Sequence, residues 1–263
     1  MPESPRNARI LIFAKAPAPG AVKTRLIPLL GAQRAAMLQA ALISHTLAIT
    51  AQSGLDVELW CHPDCRHPWF SVCARTFTIG LHDQRGADLG ERMYHAAKST
   101  PATAAVILLG TDCPSLTADE LRETSACLGK GDNDAVLGPA LDGGYYLLGL
   151  NRIHPSLFQG VSWGSDQVLT ETRQRLRALG WAWRENPARR DVDRPDDLVF
   201  LPSALWNVVE KGGAIDGFQE KSEALSRCVD PCAPLDLSIG KIKIPKKSVP
   251  AQGTSRLDSV ATR

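Results

Sequence analysis

Short apolar runs alternate along the chain with segments whose apolar positions recur every three or four residues. Residues 10–14 (ILIFA) form a run closed by proline and glycine, the pattern of a buried strand. Ala35, Leu38, Leu42, His45 and Ile49 then fall at helical spacing and predict an amphipathic helix over 32–52. Residues 55–61 and 76–81 read as the second and third strands. Asp88-Leu-Gly-Glu91 opens a helix in which Asp88 caps, Glu91 reaches back, and Met93 and Ala97 face inward. Residues 105–109 (AVILL) read as the most deeply buried strand, and Thr117-Ala-Asp-Glu120 as a capping box stapled by Leu116 and Leu121. Residues 135–138 and 145–150 predict strands flanking an Asp142-Gly143-Gly144 turn. Val168, Leu169, Thr172, Leu176 and Leu179 mark a helix, and residues 181–184 a last strand.

This alternation predicts an α/β fold with a mostly parallel, Rossmann-like sheet covered on both faces. Ligands of such sheets bind beyond the carboxyl ends of the strands. Chemistry is therefore expected after Ala14, after Leu109 and around Pro139.

The periodic pattern fails beyond about Gly217. Residues 9–217 are expected to form one domain, with 1–8 a flexible N-terminus and 218–263 a disordered tail rich in Ser, Pro and Lys. Lys241, Lys243, Lys246 and Lys247 cluster there, but the whole chain carries a net charge of only +2, so no nucleic-acid partner is expected. No stretch approaches the ~18 apolar residues of a membrane span; residues 35–50 are broken by Gln39, Ser44, His45 and Thr46. The seven cysteines lack the even, regular spacing of a disulfide framework, which fits a reducing cytoplasm.

Four segments carry candidate chemistry. The first, KAPAPGAVKTR over 15–25, follows the first strand and holds Lys15, Lys23 and Arg25 within a loop restrained by Pro17, Pro19 and Gly20. Glycine permits close backbone approach, proline limits the loop's freedom, and Arg25 can grip two phosphate oxygens at once. A Walker loop requires glycine before its lysine, and Val22 stands there. The second, Gly110-Thr-Asp112-Cys-Pro114, ends the most buried strand; a single carboxylate there can hold Mg²⁺ or Mn²⁺ against phosphate oxygens, or merely cap a turn. The third, around Asp142-Gly143-Gly144-Tyr145, reads either as a hairpin or as a turn offering two backbone N–H groups to a ligand. The fourth, Asp191-Val-Asp193-Arg-Pro195, reads as a helix start capped by Asp193, or places Asp193 as a second metal ligand beside Asp112.

Cys61, His62, Cys65, His67 and Cys73 include a Cys-x₃-Cys pair, yet no second pair follows at zinc-site spacing; a variable surface segment is the preferred reading. Cys228 and Cys232 are read the same way. Neither Gly-x-Ser-x-Gly nor a nucleophilic cysteine context is present.

The segments FAKAPAPGAVKTRL, GADLGERM, LLGTDCPSL, LGPALDGGYYLLGL, Trp163-Gly-Ser and DVDRPDDL occur in this order. Together they resemble the bacterial radical-SAM/selenodomain-associated transferase family, a branch of the GT-A-like nucleotide-diphospho-sugar transferases, over residues 9 to 201. The resemblance implies a GT-A-like three-layer α/β/α sandwich, a nucleotide or nucleotide-sugar donor and a divalent cation, Mg²⁺ or Mn²⁺. It assigns Ala14, Lys15, Gly20, Lys23, Thr24 and Arg25 to the nucleotide and Asp112 to the metal. Asp142, Gly143, Gly144, Tyr145 and Trp163 then border the sugar or a small-molecule acceptor. Superfamily members often carry Asp-x-Asp; here Cys113 and Pro114 follow a single Asp112, closer to nucleotidylyltransferases of the molybdenum-cofactor and phospholactate type.

The expected activity is metal-dependent transfer from a nucleotide-activated donor, with glycosyl transfer first and nucleotidylyl transfer as the alternative. Asp112, Lys23 and Arg25 would stabilise charge on the departing phosphate. A non-catalytic nucleotide sensor is the third reading.

Overall fold

The computed structural model describes residues 8–211, so the expected tail and its cysteines and lysines lie outside the described residues. Seven strands form one sheet: β1 (Ala8–Lys15), β2 (Asp56–His62), β3 (Gly80–Asp83), β4 (Ala105–Leu109), β5 (Ala135–Pro139), β6 (Tyr145–Leu150) and β7 (Trp183–Glu185). Their order is β3-β2-β1-β4-β6-β5-β7, parallel except for β6, which runs against β4 and β5. Helices are α1 (Ile27–Leu30), α2 (Ala32–Ser53), α3 (Pro68–Phe77), α4 (Leu89–Ser99), α5 (Ala118–Gly129), α6 (Val168–Ala178) and α7 (Ser203–Lys211).

Strand side chains alternate between two cores, which makes the molecule three-layered. Ile10, Ile12, Ile107 and Leu109 join α2, α3, α5 and α7 on one face. Leu11, Val106 and Leu108 join α4 and α6 on the other. The direction of succession reverses between β1 and β4: β2 and β3 lie outward from β1, and the later strands lie outward from β4. The carboxyl ends of β1 and β4 thus flank the crevice where ligands of doubly wound sheets bind.

Two elements depart from the pattern reading. Residues 76–77, expected in a strand, end α3 instead. Pro68 occupies its first turn, the His67 ring accepts from Trp69 N, and Trp69, Phe70 and Cys73 bury one face. This places Cys61 and Cys73 in the core, so the segment read as variable surface is partly interior. The Asp191–Pro195 stretch does lead into a helix with Pro195 in its first turn, but a 3₁₀ one whose cap position is Arg194 and not Asp193. Asp197 reaches back to accept from the backbone N–H groups of Asp193 (3.2 Å) and Arg194 (2.7 Å), and Pro195–Phe200 forms a 3₁₀ turn.

The capping at α5 also differs. Thr117 accepts from Glu120 N (3.2 Å) as expected, but Glu120 does not reach back. Its buried carboxylate instead takes Arg189 Nε at 2.7 Å and the Tyr146 hydroxyl, while Arg189 Nη1 donates to Ser115 O at 2.6 Å. Arg189 N also donates to Pro139 O (2.9 Å), so this network fixes the chain leading to Asp191 against β5. Breaking a buried pair leaves the remaining charge uncompensated. Glu120→Ala should therefore lower unfolding free energy by about 3 kcal/mol. An unchanged midpoint in urea denaturation would show that the network holds nothing.

Candidate active site

The loop after β1 is built by its prolines and glycine. Ala18 N donates to Ala16 O (2.7 Å), Ala21 N to Ala18 O (3.1 Å), and Gly20 turns the chain at φ 85°. Ala14 is buried at the strand end, whereas Lys15 and Thr24 are exposed. Lys23 is held in the left-handed region at φ 47°, a conformation costing roughly 1–2 kcal/mol for a residue with a Cβ. What offsets that strain is the reach of its side chain. Lys23 Nζ lies 2.8 Å from Asp112 Oδ1 and donates to Val192 O at 2.7 Å. Val192 N in turn donates to Asp112 O at 2.8 Å. Three distant segments, the post-β1 loop, the end of β4 and residues 191–193, thus meet at one ammonium group.

The burial of this pair is lopsided: the Lys23 side chain is 3% exposed and that of Asp112 45%. Lys23 is locked inside, and Asp112 presents its other side to the cleft. Arg25 forms an ion pair with Asp193, which engages that carboxylate. The carboxyl that does respond to Asp112 is Asp191. Burial, then the charge of Asp142, then that of Asp112 with Asp197, push it up to about 6.

Three of the α2 residues that interrupt its apolar run, Gln39, His45 and Thr46, fasten the same site. His45 Nε2 bonds Pro114 O (2.9 Å), while Gln39 and Thr46 reach the Thr111 hydroxyl and carbonyl at the 3.5 Å limit. Burial lowers the His45 pKa, so its neutral ring donates from Nε2 to that carbonyl. These positioning residues were not assigned from the sequence; the signal was the polar interruption of the apolar 35–50 run at Gln39, His45 and Thr46.

The Asp142–Gly144 segment is a hairpin turn, and its two N–H groups are not offered to a ligand. Gly143 N donates to Ala140 O (3.3 Å) and Gly144 N to Asp142 Oδ1 (2.9 Å). Gly143 sits at φ 93°, pressed against the Asp166 backbone where any Cβ would collide, and its carbonyl accepts from Leu169 N at 2.9 Å. Gly143 thus serves both the turn and the packing. Tyr145 and Trp163 meet edge to face at 6.4 Å on the α4–α6 side. The Tyr145 hydroxyl and Trp163 Nε1 are both buried without a hydrogen-bond partner.

Asp142 and Asp112 both act electrostatically on Asp191, and one or two of these hard oxygen donors, completed by phosphate oxygens, fit Mg²⁺ or Mn²⁺. Among the described residues no three acidic, cysteine or histidine groups are already arranged as a metal cage. Hard cations that bind through one or two carboxylates plus phosphate oxygens need no such cage. A cavity of about 570 Å³ opens elsewhere, at the amino ends of β1–β3. Its charges answer one another, Arg9 lying 2.9 Å from Glu58 and 3.5 Å from Asp56.

Fold and cleft together define the nucleotide-diphospho-sugar transferase class of α/β architecture. The chain belongs to the bacterial family described as uncharacterized protein conserved in bacteria (DUF2064), which matches residues 46–165. That span contains Asp112, Asp142, Tyr145 and Trp163 but neither the 15–25 loop nor Asp191. A crystal structure from Desulfovibrio desulfuricans G20, provisionally described as a nucleotide-diphospho-sugar transferase, is 31% identical. It aligns over 84% of this chain and 96% of its own, with a TM-score of 0.68. A protein of Roseiflexus castenholzii named phosphoenolpyruvate guanylyltransferase is 32% identical over 118 residues. That match covers 44% of this chain, which thus spans about half (52%) of the relative's length. No helix among the described residues is long and apolar enough to cross a membrane.

The lopsided burial has a measurable consequence. Asp112→Ala strands a buried ammonium and should cost about 3 kcal/mol, whereas Lys23→Met leaves a half-exposed carboxylate and an unpaired Val192 carbonyl and should cost about 1–2 kcal/mol. The double variant should recover part of the Asp112→Ala loss. Equal losses in the two single variants, by thermal denaturation, would contradict this arrangement.

Proposed function

We propose that this chain is a nucleotidylyltransferase that moves a nucleoside monophosphate unit from a nucleoside triphosphate to a small acidic acceptor. The observation that carries this reading is the single Asp112, followed by Cys113 and Pro114 and anchored by Lys23 at the β4 end of the crevice. Support also comes from the relative named a guanylyltransferase, which makes guanosine triphosphate the first donor to try.

An acceptor oxygen attacks the α-phosphorus, forming one P–O bond as the α–β bridging bond breaks and pyrophosphate leaves. A carboxylate or phosphate oxygen is already anionic, so the acceptor need not surrender a proton. Lys15 and the backbone of the 15–25 loop would bind phosphate oxygens. Lys23, buried away from the cleft, acts by positioning Asp112 rather than by touching substrate. Arg25 would exchange Asp193 for phosphate. Asp112, with Asp142 or Asp191, would hold a divalent cation together with phosphate oxygens, and the cation supplies neutralising charge to the phosphates when bound. Asp193 remains a candidate ligand only if Arg25 releases it. Tyr145 and Trp163 would border the acceptor.

Glycosyl transfer is the second reading, favoured by the description of the Desulfovibrio protein. The products separate the two, because nucleotidylyl transfer releases pyrophosphate whereas glycosyl transfer releases a nucleoside diphosphate. With Mg²⁺ or Mn²⁺, guanosine triphosphate and a panel of small phosphorylated and carboxylic acids, pyrophosphate should accumulate. Asp112→Asn should lower that rate by about 10²-fold or more, assayed where circular dichroism shows the variant folded. Nucleoside diphosphate release from a nucleotide sugar would replace this reading with glycosyl transfer. Tight nucleotide binding without turnover on any acceptor would leave the sensor.

A further inference from the structure

At the β2 side of the crevice, three basic side chains gather without an acid to answer them. Lys15 and His62 stand opposite each other in the β1–β2 register, and Ala16 N donates to His62 O at 2.7 Å. Gln84 ties the segment after β3 to both strands: its Nε2 donates to Ala14 O (3.4 Å) and Trp60 O (2.8 Å), and its N to Cys61 O (3.0 Å). Gly86 then lets the chain pass against α4 so closely that an added Cβ would meet Arg92 N at 2.8 Å. Arg92 Nε donates to Gly86 O at 3.2 Å, which fixes the guanidinium on this side. After burial, the charges of Arg92 and then Lys15 are what hold the His62 pKa down, so all three groups share one neighbourhood.

The acids close by are engaged elsewhere. Glu91 accepts from Ala87 N (2.8 Å), Asp88 from Glu91 N (2.8 Å) and Asp83 from Cys65 N (2.8 Å). Among the described residues, no ion pair includes Lys15 or Arg92. The other two cations of the loop, Lys23 and Arg25, are each matched by an aspartate. Uncompensated positive charge in the crevice therefore sits at Lys15 and Arg92, with the His62 imidazole, kept neutral by burial and by them, as a hydrogen-bonding neighbour.

We propose that Lys15, His62 and Arg92 form an anion subsite that takes a phosphoryl group, distinct from the buried Lys23–Asp112 contact. An anchored guanidinium and a flexible ammonium in one neighbourhood suit the oxygens of a terminal phosphate. Only the question of which molecule brings that phosphate, the donor's polyphosphate tail or a phosphorylated acceptor, rests on the proposed function.

Calorimetric titration of the full chain with inorganic pyrophosphate and with inorganic phosphate tests the subsite without turnover. Both Arg92→Gln and Lys15→Gln should weaken anion binding by about ten- to a hundredfold. Arg92→Lys should stay within a few fold of the unaltered protein. Parallel losses for pyrophosphate and guanosine triphosphate, with phosphate unaffected, assign the subsite to the donor. Loss for phosphate with guanosine triphosphate unaffected assigns it to the acceptor. The proposal is overturned if neither anion binds the unaltered protein, if Arg92→Gln changes neither affinity, or if Arg92→Lys loses as much as Arg92→Gln. Pyrophosphate release by a protein that fails these titrations removes the subsite alone; intact titrations without any turnover remove the proposed function alone.

Discussion

The site depends on one buried ammonium group. Lys23 accepts a left-handed backbone and near-complete burial because its side chain meets two acceptors that no other loop residue reaches. Through Asp112 it grips the end of β4; through the Val192 carbonyl it grips the segment that brings Asp191 and Asp193 to the crevice. A buried cation tolerates few geometries, since without either acceptor it would bear a large desolvation penalty. The knot therefore fixes the relative positions of three segments separated by up to 169 residues. The polar residues of α2 and the Glu120–Arg189 network brace two of those segments from behind.

Charge is segregated across the crevice that results. On the β5–β6 side, Asp142, Asp191 and the open face of Asp112 concentrate negative charge, which adds to burial in pushing the Asp191 pKa up to about 6. On the β2 side, Lys15 and Arg92 concentrate positive charge beside the neutral His62 imidazole. Such a dipolar cleft orients a ligand that is itself polyanionic and carries a cation at one end. A metal-bound nucleotide matches both halves, and a neutral sugar alone matches neither.

Much of this was legible in the sequence, for reasons that differ by element. β1 and β4 are apolar because both faces of a central strand are covered, so residues 10–14 and 105–109 stood out as strands. The rule that ligands sit beyond carboxyl ends then singled out Lys23 and Asp112 before their contact was known. Lys23 itself could not be foreseen as buried, since burial of a lysine depends on partners brought in by topology. The same holds for Glu120: its spacing from Thr117 reads as a capping box, yet Arg189 and Tyr146 claim it from 69 and 26 residues away. Residues 76–77 were misassigned because a short apolar run does not distinguish a strand from a helix end, and the Pro68 signal lies well upstream of them. The glycine pair at 143–144 was half understood. A turn was evident, but the close approach of Asp166 that occupies Gly143 is a tertiary fact.

The most direct test is a crystal structure with Mn²⁺ and a non-hydrolysable analogue of guanosine triphosphate. A manganese anomalous peak bonded to Asp112 is expected, with the phosphates lying along the 15–25 loop and Lys23 still buried beneath. Nucleotide and manganese bound away from the ends of β1 and β4, for instance at the Arg9–Glu58 end of the sheet, would contradict a site organised by the buried Lys23.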